Sequence, residues 1–312
     1  MYKYILKRIG TSIITIWVLI TITFLLMNAI PGEPFSDQRK LPPQVLENLN
    51  EYYGLDKPLI IQYFKHMGNI LKGDLGYSLT YKTRTVNDII AQAFPYSAQL
   101  GIQSLIFGLT LGLALGILAA LHHNRALDYI TMIIAVIGVS VPNFIIGGFL
   151  QYFLGVKYQL FPVAQWKGFI YTILPTIALG SRILATQARM MRSSTLEVLN
   201  QDYIKAAKAK GLSKTVIIGN HIIRNSILPI ITTLGPLSAT ILTGTFVIEN
   251  IFAIPGLGRY FVQGIQDLDY PVILGTTLFY GVFLVVLNLL VDIIYGFIDP
   301  RIKIVDLAGD RL

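Results

Sequence analysis

A short polar stretch between long apolar segments contains the side chains best suited to bind another protein. Residues 202–212 read DYIKAAKAKGL, with an aspartate at the start, two adjacent alanines and a glycine near the end. Alanine and lysine favour helix, and a glycine just past the last helical residue is a common stop. A compact basic helix of this kind predicts a docking surface for a cytoplasmic protein. The spacing alone also permits an ordinary basic loop held at anionic lipid headgroups.

Three polar side chains inside apolar segments are candidates for a solute pathway. Polar groups cost free energy in a bilayer, so each indicates either a function or a polar partner. Asn143 follows Pro142, whose ring can leave a backbone carbonyl without its helical partner. Arg182 and Gln187 interrupt a later apolar segment. Hydrogen bonds to neighbouring helices of the same chain would explain Asn143 and Gln187 equally well.

The sequence has no arrangement typical of catalysis or of a bound cofactor. It contains no cysteine, which excludes disulfides, thiolate metal sites and thiol chemistry. Gly211-Leu-Ser-Lys-Thr resembles the end of a phosphate-binding loop, but the leading glycine of that motif is missing. Four histidines lack carboxylates at metal-ligand spacing; they are His66, His122, His123 and His221. We therefore predict no catalytic, metal-binding or cofactor-binding residue, and no ATP hydrolysis by this chain.

The composition places these residues in a membrane protein. Hydrophobic residues make up 54% of the 312 residues and charged residues only 13%, whereas soluble domains have about 25% charged residues. Mean hydropathy is +0.61. A net charge of +8 would suggest nucleic-acid binding in a soluble protein, but here the basic residues flank apolar segments. We expect an all-α, polytopic membrane protein.

Six apolar stretches are long enough to cross a bilayer, which takes about 20 residues. They cover residues 9–30, 97–121, 129–156, 169–190, 226–248 and 271–298. Lys3, Lys7 and Arg8 precede the first stretch, and the positive-inside rule then places the N-terminus in the cytoplasm. Six transmembrane helices return the C-terminus to the same side. Glu249, at the end of the fifth stretch, is expected at a membrane interface.

Three regions follow from this count. Residues 1–30 contain the N-terminus and the first span, and residues 31–95 form a small external helical cap between spans one and two. Residues 96–312 form a core of five spans, with a cytoplasmic coupling segment at about residues 191–225. The external cap is either a lid over helix ends or a landing surface for an external partner.

Local patterns predict several helix boundaries. In the external cap, one helix is predicted over residues 42–53, and a second starts at Pro58 and stops at Gly73. Ser194-Thr195-Leu196-Glu197 has the capping-box pattern and predicts a helix start, and Ser213 is predicted to cap another helix. Three glycines at every fourth position favour packing within this chain over a subunit interface; they are Gly108, Gly112 and Gly116.

Ordered patterns along the chain resemble the permease subunits of ATP-binding-cassette importers, most closely the B-type subunit of the oligopeptide, dipeptide and nickel group. In chain order they are Tyr4-Ile5-Leu6-Lys7-Arg8, Ile30-Pro31-Gly32-Glu33-Pro34, Tyr53-Gly54-Leu55-Asp56-Lys57-Pro58, Gly73-Asp74-Leu75-Gly76-Tyr77-Ser78, Tyr203 to Gly211, Ile254-Pro255-Gly256-Leu257-Gly258, Asp269-Tyr270-Pro271 and Ile298-Asp299-Pro300-Arg301. The resemblance runs nearly from end to end. The stretch from Tyr203 resembles the coupling motif E-A-A-x-x-x-G, except that Lys205 stands at the glutamate position.

The resemblance implies a set of residues that couple this chain to an ATPase: Asp202, Tyr203, Lys205, Ala206, Ala207 and Gly211. A carboxylate role does not carry over to Lys205. The resemblance also implies partners, namely a second homologous permease subunit, two cytoplasmic ATPase subunits that bind ATP, and an external substrate-binding protein. The expected location is the bacterial plasma membrane, with no enzymatic activity in this chain and no nucleic-acid partner.

The expected function is that of a membrane-spanning permease subunit that forms half of a translocation pathway for peptides, most closely oligopeptides. Import of nickel or another small solute is the alternative within the family. A self-contained secondary transporter or channel is the alternative of another class, although the sequence lacks the internal repeats typical of many transporters. The resemblance places the choice of substrate with the external binding protein.

Overall fold

The computed structural model of the protein describes residues 2–29, 57–81, 84–243 and 246–298, together with Tyr52 and Gly54. These residues form helices joined by turns. One isolated antiparallel bridge pairs Tyr77 with Thr85. By its contacts the chain divides into two compact units, one containing residues 1–95 and 259–312 and the other residues 96–258.

The described helices are numbered here in chain order. They are α1 (Tyr2–Ala29), α2 (Leu59–Leu71), α3 (Val86–Leu121), α4 (Ala126–Ser140), α5 (Asn143–Leu150), α6 (Phe169–Leu199), α7 (Asp202–Ala209), α8 (Lys214–Val216), α9 (Arg224–Ser226), α10 (Leu228–Thr243), α11 (Phe246–Ile251), α12 (Leu257–Gln266) and α13 (Tyr270–Ile298). Two π-helical stretches continue α5 and α8; they are Gln151–Lys157 and Ile217–Ile223.

In the first unit, α1 packs along α13 and carries α2 on its side. The hydroxyl oxygens of Tyr63 and Thr21 lie 2.8 Å apart. The Phe24 ring contacts the rings of Tyr63 and His66, with centroids 5.5 and 5.7 Å away. Burial lowers the pKa of His66 below its ordinary value, so this ring is neutral at pH 7 and fits among aromatic neighbours.

The bounds of α2 confirm the second helix predicted for the external cap. The helix begins directly after Pro58, and Gly73 follows its end with φ of +78°. The helix predicted over residues 42–53 lies, apart from Tyr52, outside the described residues. The apolar side chains Ile60 and Phe64 are exposed on α2, because Tyr63 and His66 occupy the side that faces α1.

A buried carboxylate joins two parts of the first unit that are distant in sequence. Asp269, only 1% exposed, accepts hydrogen bonds from the backbone N–H groups of Leu79 and Thr80 at 3.1 and 3.0 Å. The Ser78 hydroxyl donates to the same carboxylate oxygen. The Val272 N–H donates to the other oxygen at 3.3 Å. Asp269 thereby fixes the loop before α3 to the first turn of α13.

In the second unit, α6 is the central helix. It contacts α4, α5, α10 and α11. Its buried residues include Leu174 and Ile183, which belong to one apolar cluster with Ile248 and Phe252. The second π-helical stretch and α9 also contact α6, so this helix connects most elements of the second unit.

The glycines of α3 pack closely against α6, which confirms the prediction that they serve packing within this chain. A Cβ added at Gly112 would lie 2.9 Å from the carbonyl oxygen of Leu184. One added at Gly116 would lie 2.6 Å from the carbonyl oxygen of Ala188. Because these neighbours are backbone atoms, they cannot turn aside as a side chain could.

We expect Gly112→Val to lower the free energy of unfolding by about 2 kcal/mol, since the added carbons overpack a helix contact. The matched control is Gly148→Val in α5, because nothing lies within 4 Å of a Cβ added there. Thermal unfolding in detergent compares both variants with the parent protein. Equal unfolding midpoints for the two variants would contradict the packing role of Gly112.

The membrane-crossing helices differ from the predicted spans at one place, the third span. Among the described residues, four helices are long and apolar enough to cross: Ile5–Leu26, α3, α6 and Tyr270–Leu290. The predicted third span, residues 129–156, is not one straight helix, because α4 and α5 meet at Pro142 with a bend of 108°. Counting this bent pair as one span gives five. Within the predicted fifth span, residues 226–248, the described residues form α10 up to Thr243 and the start of α11 from Phe246.

The helix start predicted from the capping-box pattern at Ser194 is wrong. α6 continues without a break through that pattern to Leu199. Met191, Thr195 and Val198 are all buried along one side of this part of the helix. Burial along a continuous helix outweighs the local preference of serine and threonine for a helix start.

Candidate functional site

The predicted docking segment is the two-turn helix α7, which rests on a hydrophobic cluster. Ile204 and Ala207 are 0% and 5% exposed. They belong to one buried cluster with Val198 at the end of α6 and with Ile217 and Ile222 of the second π-helical stretch. α7 is therefore fixed to the end of α6 by apolar contacts and is not a loosely attached loop.

The opposite side of α7 is exposed and carries small residues. Asp202, Ala206 and Ala209 are exposed and spaced at i, i+4 and i+7, which places them on one face of the helix. Tyr203 and Lys205, also exposed, flank this face. We call Asp202, Ala206 and Ala209 the outer face of α7. Its small side chains allow a second protein surface to approach the helix closely.

The sequence predicts Ala207 as a docking residue, and the structure buries its side chain within this chain. Successive helical residues point about 100° apart, so Ala206 and Ala207 cannot face the same way. Ala207 packs against the cluster that supports α7, while Ala206 is exposed. Of the two alanines, Ala206 is the one that a partner can contact.

Gly211 ends α7 in the conformation that the sequence predicts. Its φ is +75°, in the left-handed region that glycine adopts readily. Its N–H donates to the Lys208 carbonyl at 3.0 Å, and the Leu212 N–H donates to the Ala207 carbonyl at 3.3 Å. These two bonds form the Schellman motif that closes a helix end. The stop is therefore a defined structure and fixes the direction in which the chain leaves α7.

Two other polar side chains of the segment act locally. Ser213 accepts a hydrogen bond from the Val216 N–H at 3.4 Å and caps the next helical turn, as predicted. Lys205 Nζ lies 2.8 Å from Asp202 Oδ1, but the two side chains are 70% and 95% exposed. An ion pair so open to water contributes little to stability, so Lys205 and Asp202 define the surface charge of the outer face and not its fold.

A buried ion pair that the sequence does not reveal joins α4 to α6. Arg192 donates from Nε to Asp128 Oδ1 at 2.5 Å and from Nη2 to Oδ2 at 2.8 Å. His123 Nδ1 lies 3.1 Å from Oδ2, and the Asn124 N–H donates to it at 3.0 Å. The Asp128 side chain is only 3% exposed. His123 and Asn124 are close to Asp128 in the sequence, but Arg192 is 64 residues away, so no local pattern marks the ion pair.

The three pathway candidates do not lie together. Asn143 begins α5, and its Nδ2 donates to the Leu179 carbonyl at 3.4 Å. Gln187 is 1% exposed and packs where α6 meets Gly112. Arg182 is exposed on α6. Asn143 and Gln187 thus make contacts between helices of this chain. The side chain of Arg182 is instead exposed on the surface of α6. The role of all three in a pathway stays a prediction.

Arg182 begins a polar face along the second half of α6. Thr186, Arg189, Ser193 and Glu197 follow it at intervals of three or four residues, and none of the five is buried. At about 100° per residue, all five lie within an arc of roughly 80°. We call these five residues the polar face of α6. It runs toward the end of α6 that carries α7.

The polar face of α6 opens into a cleft of about 540 Å³. Its lining includes Arg189, Ser193 and Glu197 from α6, and Pro229 from α10. Among the described residues, Arg182 and Arg189 form no ion pair, whereas Arg192 on the same helix is paired with Asp128. A charged side chain that faces lipid near the bilayer centre costs about 3 kcal/mol, so this face is expected to meet water or another protein.

A second buried carboxylate shapes the loop after α11. Glu249 is 0% exposed, and its Oε2 accepts a hydrogen bond from the Gly258 N–H at 2.8 Å. A Cβ added at Gly258 would lie 2.8 Å from the same oxygen. The Leu257 N–H donates to Ser97 Oγ at 2.9 Å. The glycine therefore lets the backbone approach the Glu249 carboxylate, which lies inside the protein rather than on its surface.

Comparison with known proteins gives matches along nearly the whole chain. Residues 112–304 match the family of binding-protein-dependent transport system inner membrane components, and residues 1–101 match the N-terminal part of such membrane components. The dipeptide transport system permease protein of Bacillus subtilis is 49% identical over 304 residues, covering 97% of this chain and 99% of that protein. The oligopeptide transport system permease protein of Haemophilus influenzae is 42% identical over 305 residues, covering 97% of this chain and 100% of that protein.

Proposed function

The chain belongs to the family of binding-protein-dependent transport system inner membrane components, and from this membership we propose that it is the permease subunit of an ATP-driven peptide importer. It is a multi-pass protein of the bacterial plasma membrane. Peptides are the proposed substrate because the compared relatives are named dipeptide and oligopeptide transport permeases. Import of nickel or another small solute is the alternative within the family.

In the proposed assembly, this chain pairs with a second, similar permease subunit, and the two enclose the pathway. Two cytoplasmic ATPase subunits bind ATP, and an external binding protein delivers the substrate. The description of the family as binding-protein-dependent supports the last of these partners. This chain contributes a membrane wall and a docking helix, and no catalytic group.

The observation that best supports this function is the construction of α7. Its outer face is small and exposed, while its inner side packs on Val198 at the end of α6. An ATPase subunit that holds the outer face would therefore move α7 and the end of α6 together, as a rigid body. The polar face is also on α6. Closure of the ATPase subunits on binding ATP would therefore move the side chains that line the cleft.

The proposed function is tested by reconstituting the complex in lipid vesicles with its ATPase subunits and binding protein. We expect a peptide bound to the binding protein to stimulate ATP hydrolysis. The peptide should also accumulate inside vesicles in which the ATPase subunits face the lumen and the binding protein is outside. Stimulation by a nickel chelate and not by peptides would favour the small-solute alternative. Solute transport by this chain without ATPase subunits would contradict the proposal and favour a self-contained transporter or channel.

The proposed topology has six spans with both chain ends in the cytoplasm. The four long helices and the bent pair supply five crossings. The sixth would be made by α10 and α11, whose 16 and 6 residues together reach about 33 Å as helix, enough for a bilayer core. The positive charges before α1 and around α7 support the orientation.

The topology predicts opposite labelling of two exposed lysines. The chain has no cysteine, so single cysteines give a clean background. In intact cells, we expect Lys72→Cys, at the end of α2, to react with a membrane-impermeant thiol reagent, and Lys208→Cys in α7 to react only after permeabilisation. Labelling of the Lys208→Cys variant from outside would place α7 on the wrong side of the membrane for an ATPase.

A further inference from the structure

We infer that Arg182 and Arg189 form a carboxylate-binding subsite on the wall of the pathway, where they hold the C-terminal carboxylate of a peptide in transit. This inference rests on the proposed function, since it names how the substrate is held. Both arginines are exposed on the polar face of α6. Their Cα atoms are seven residues apart, which corresponds to about 10 Å along the helix axis.

The polar face of α6 is suited to an aqueous surface. Five polar side chains in one narrow arc would be unfavourable against lipid, and the described part of the chain does not bury them. Between Arg182 and Glu197 the face extends for about 22 Å, from the predicted fourth span into the predicted cytoplasmic segment, where Ser193 and Glu197 lie. The cleft of about 540 Å³ at Arg189 has the size of a small-ligand site.

The two guanidinium groups determine which ligand fits. Arginine offers planar paired donors that match the two oxygens of a carboxylate. Arg192, on the same helix, donates hydrogen bonds from Nε and Nη2 to Asp128, so these donors are not available to a ligand. Arg182 and Arg189 have no such partner among the described residues. Glu197 lies on the same face, eight residues beyond Arg189, and forms no ion pair with it among the described residues. Two unpaired cations are expected to attract an anionic group.

A carboxylate is the one anionic group that every unmodified peptide carries, whatever its side chains. A subsite for it recognises peptides as a class without selecting a sequence. The contacts are also open to water, so the carboxylate is held weakly and can move from one arginine to the next. Weak binding at several positions suits a pathway, because a tightly bound substrate would not leave.

Charged thiol reagents test the potential at this site without any transport. Thr186 lies between the two arginines on the same face. In the assembled complex, each rate is divided by the rate of the same reagent with a small free thiol. On this scale we expect Thr186→Cys to react about tenfold faster with an anionic sulfonatoethyl methanethiosulfonate than with its cationic trimethylammonium counterpart. Adding Arg182→Gln and Arg189→Gln should bring the two relative rates together. No reaction with either reagent would mean that lipid or the second permease covers the face, and would overturn the inference.

Transport of matched peptides tests recognition of the carboxylate. We compare one peptide with a free C-terminus and the same peptide amidated, each loaded on the binding protein at saturation. Arg189→Gln is expected to slow uptake of the free acid by about tenfold and to change uptake of any transported amide by less than about twofold. Arg189→Lys should retain part of the preference. Lys167→Gln, an exposed cation before α6, controls for loss of one positive charge.

The outcomes separate this inference from the function on which it rests. If the unaltered complex transports no peptide, the proposed function fails. If it transports peptides but Arg182→Gln and Arg189→Gln leave uptake of the free acid unchanged, the carboxylate subsite alone is wrong. If the binding protein carries no amidated peptide, the ratio of the two reagent rates decides the question, because it does not depend on substrate.

Discussion

Ala206→Trp is expected to abolish most of the coupling between ATP hydrolysis and uptake while leaving the protein folded. Ala206 lies on the outer face of α7 and is exposed, so a large ring there does not disturb packing within this chain. It would instead keep the ATPase surface away from the helix. Overpacking of a close contact costs about 1–3 kcal/mol, which weakens docking by about tenfold or more. Co-purification of the ATPase subunits and peptide uptake at equal membrane levels measure the effect.

The neighbouring alanine gives a matched control with the opposite outcome. Ala207 is buried with Ile204 and Ile217, so Ala207→Trp is expected to lower the thermal unfolding midpoint and the amount of folded protein. Ala206→Trp should leave that midpoint unchanged. If both variants were equally stable and both supported normal uptake, α7 would be a helix held at lipid headgroups, and the docking assignment would be wrong.

Gly211 offers a second way to disturb the same helix. Proline holds φ near −65° and has no N–H, whereas Gly211 has φ of +75° and donates to the Lys208 carbonyl. Gly211→Pro should therefore open the end of α7 and reduce uptake as Ala206→Trp does. Gly211→Ala is the milder comparison, because open space surrounds an added Cβ and only the left-handed conformation is unfavourable.

Asp128→Ala is expected to lower the free energy of unfolding by about 3–5 kcal/mol, the usual result of removing one partner from a buried ion pair. The Arg192 side chain is 23% exposed and would lose both of its carboxylate bonds. Chemical or thermal unfolding in detergent measures the loss. Because α4 and α6 are joined by this pair, faster proteolysis of the segment around Asn124 should accompany it.

Two further variants establish that the loss comes from the unpaired charge. Replacing Arg192 by leucine in the Asp128→Ala background should recover part of the stability, since no buried charge then remains without a partner. Asp202→Ala removes a carboxylate from an exposed pair with Lys205 and should leave the unfolding midpoint unchanged. A stability of Asp128→Ala equal to that of Asp202→Ala would show that the buried pair contributes nothing.

The sequence alone was sufficient for the features that depend on neighbouring residues. Long apolar runs identify membrane helices because hydrocarbon excludes polar backbone groups regardless of tertiary context. Gly211 predicts the end of α7, and Pro58 with Gly73 predicts the limits of α2, because each effect acts within one helical turn. The resemblance to the family could also be found without the structure, because it depends only on short motifs and their order along the chain.

Features that depend on what packs against a helix were decided only by the tertiary structure. The pattern at Ser194 could start a helix, but burial of Met191 and Val198 carries α6 through it. Ala206 and Ala207 look equivalent in the sequence, and only the cluster around Ile204 shows which one faces inward.

The same distinction holds for the charged residues. Arg182, Arg189 and Arg192 occur on one helix and are chemically identical, so their spacing gives no reason to separate them. Asp128 reaches Arg192 alone, because folding brings α4 beside that side of α6. A charge that is paired and withdrawn from water holds the structure together, whereas one left exposed on a membrane helix is available to a ligand. Only the three-dimensional position of a partner 64 residues away decides between these two roles.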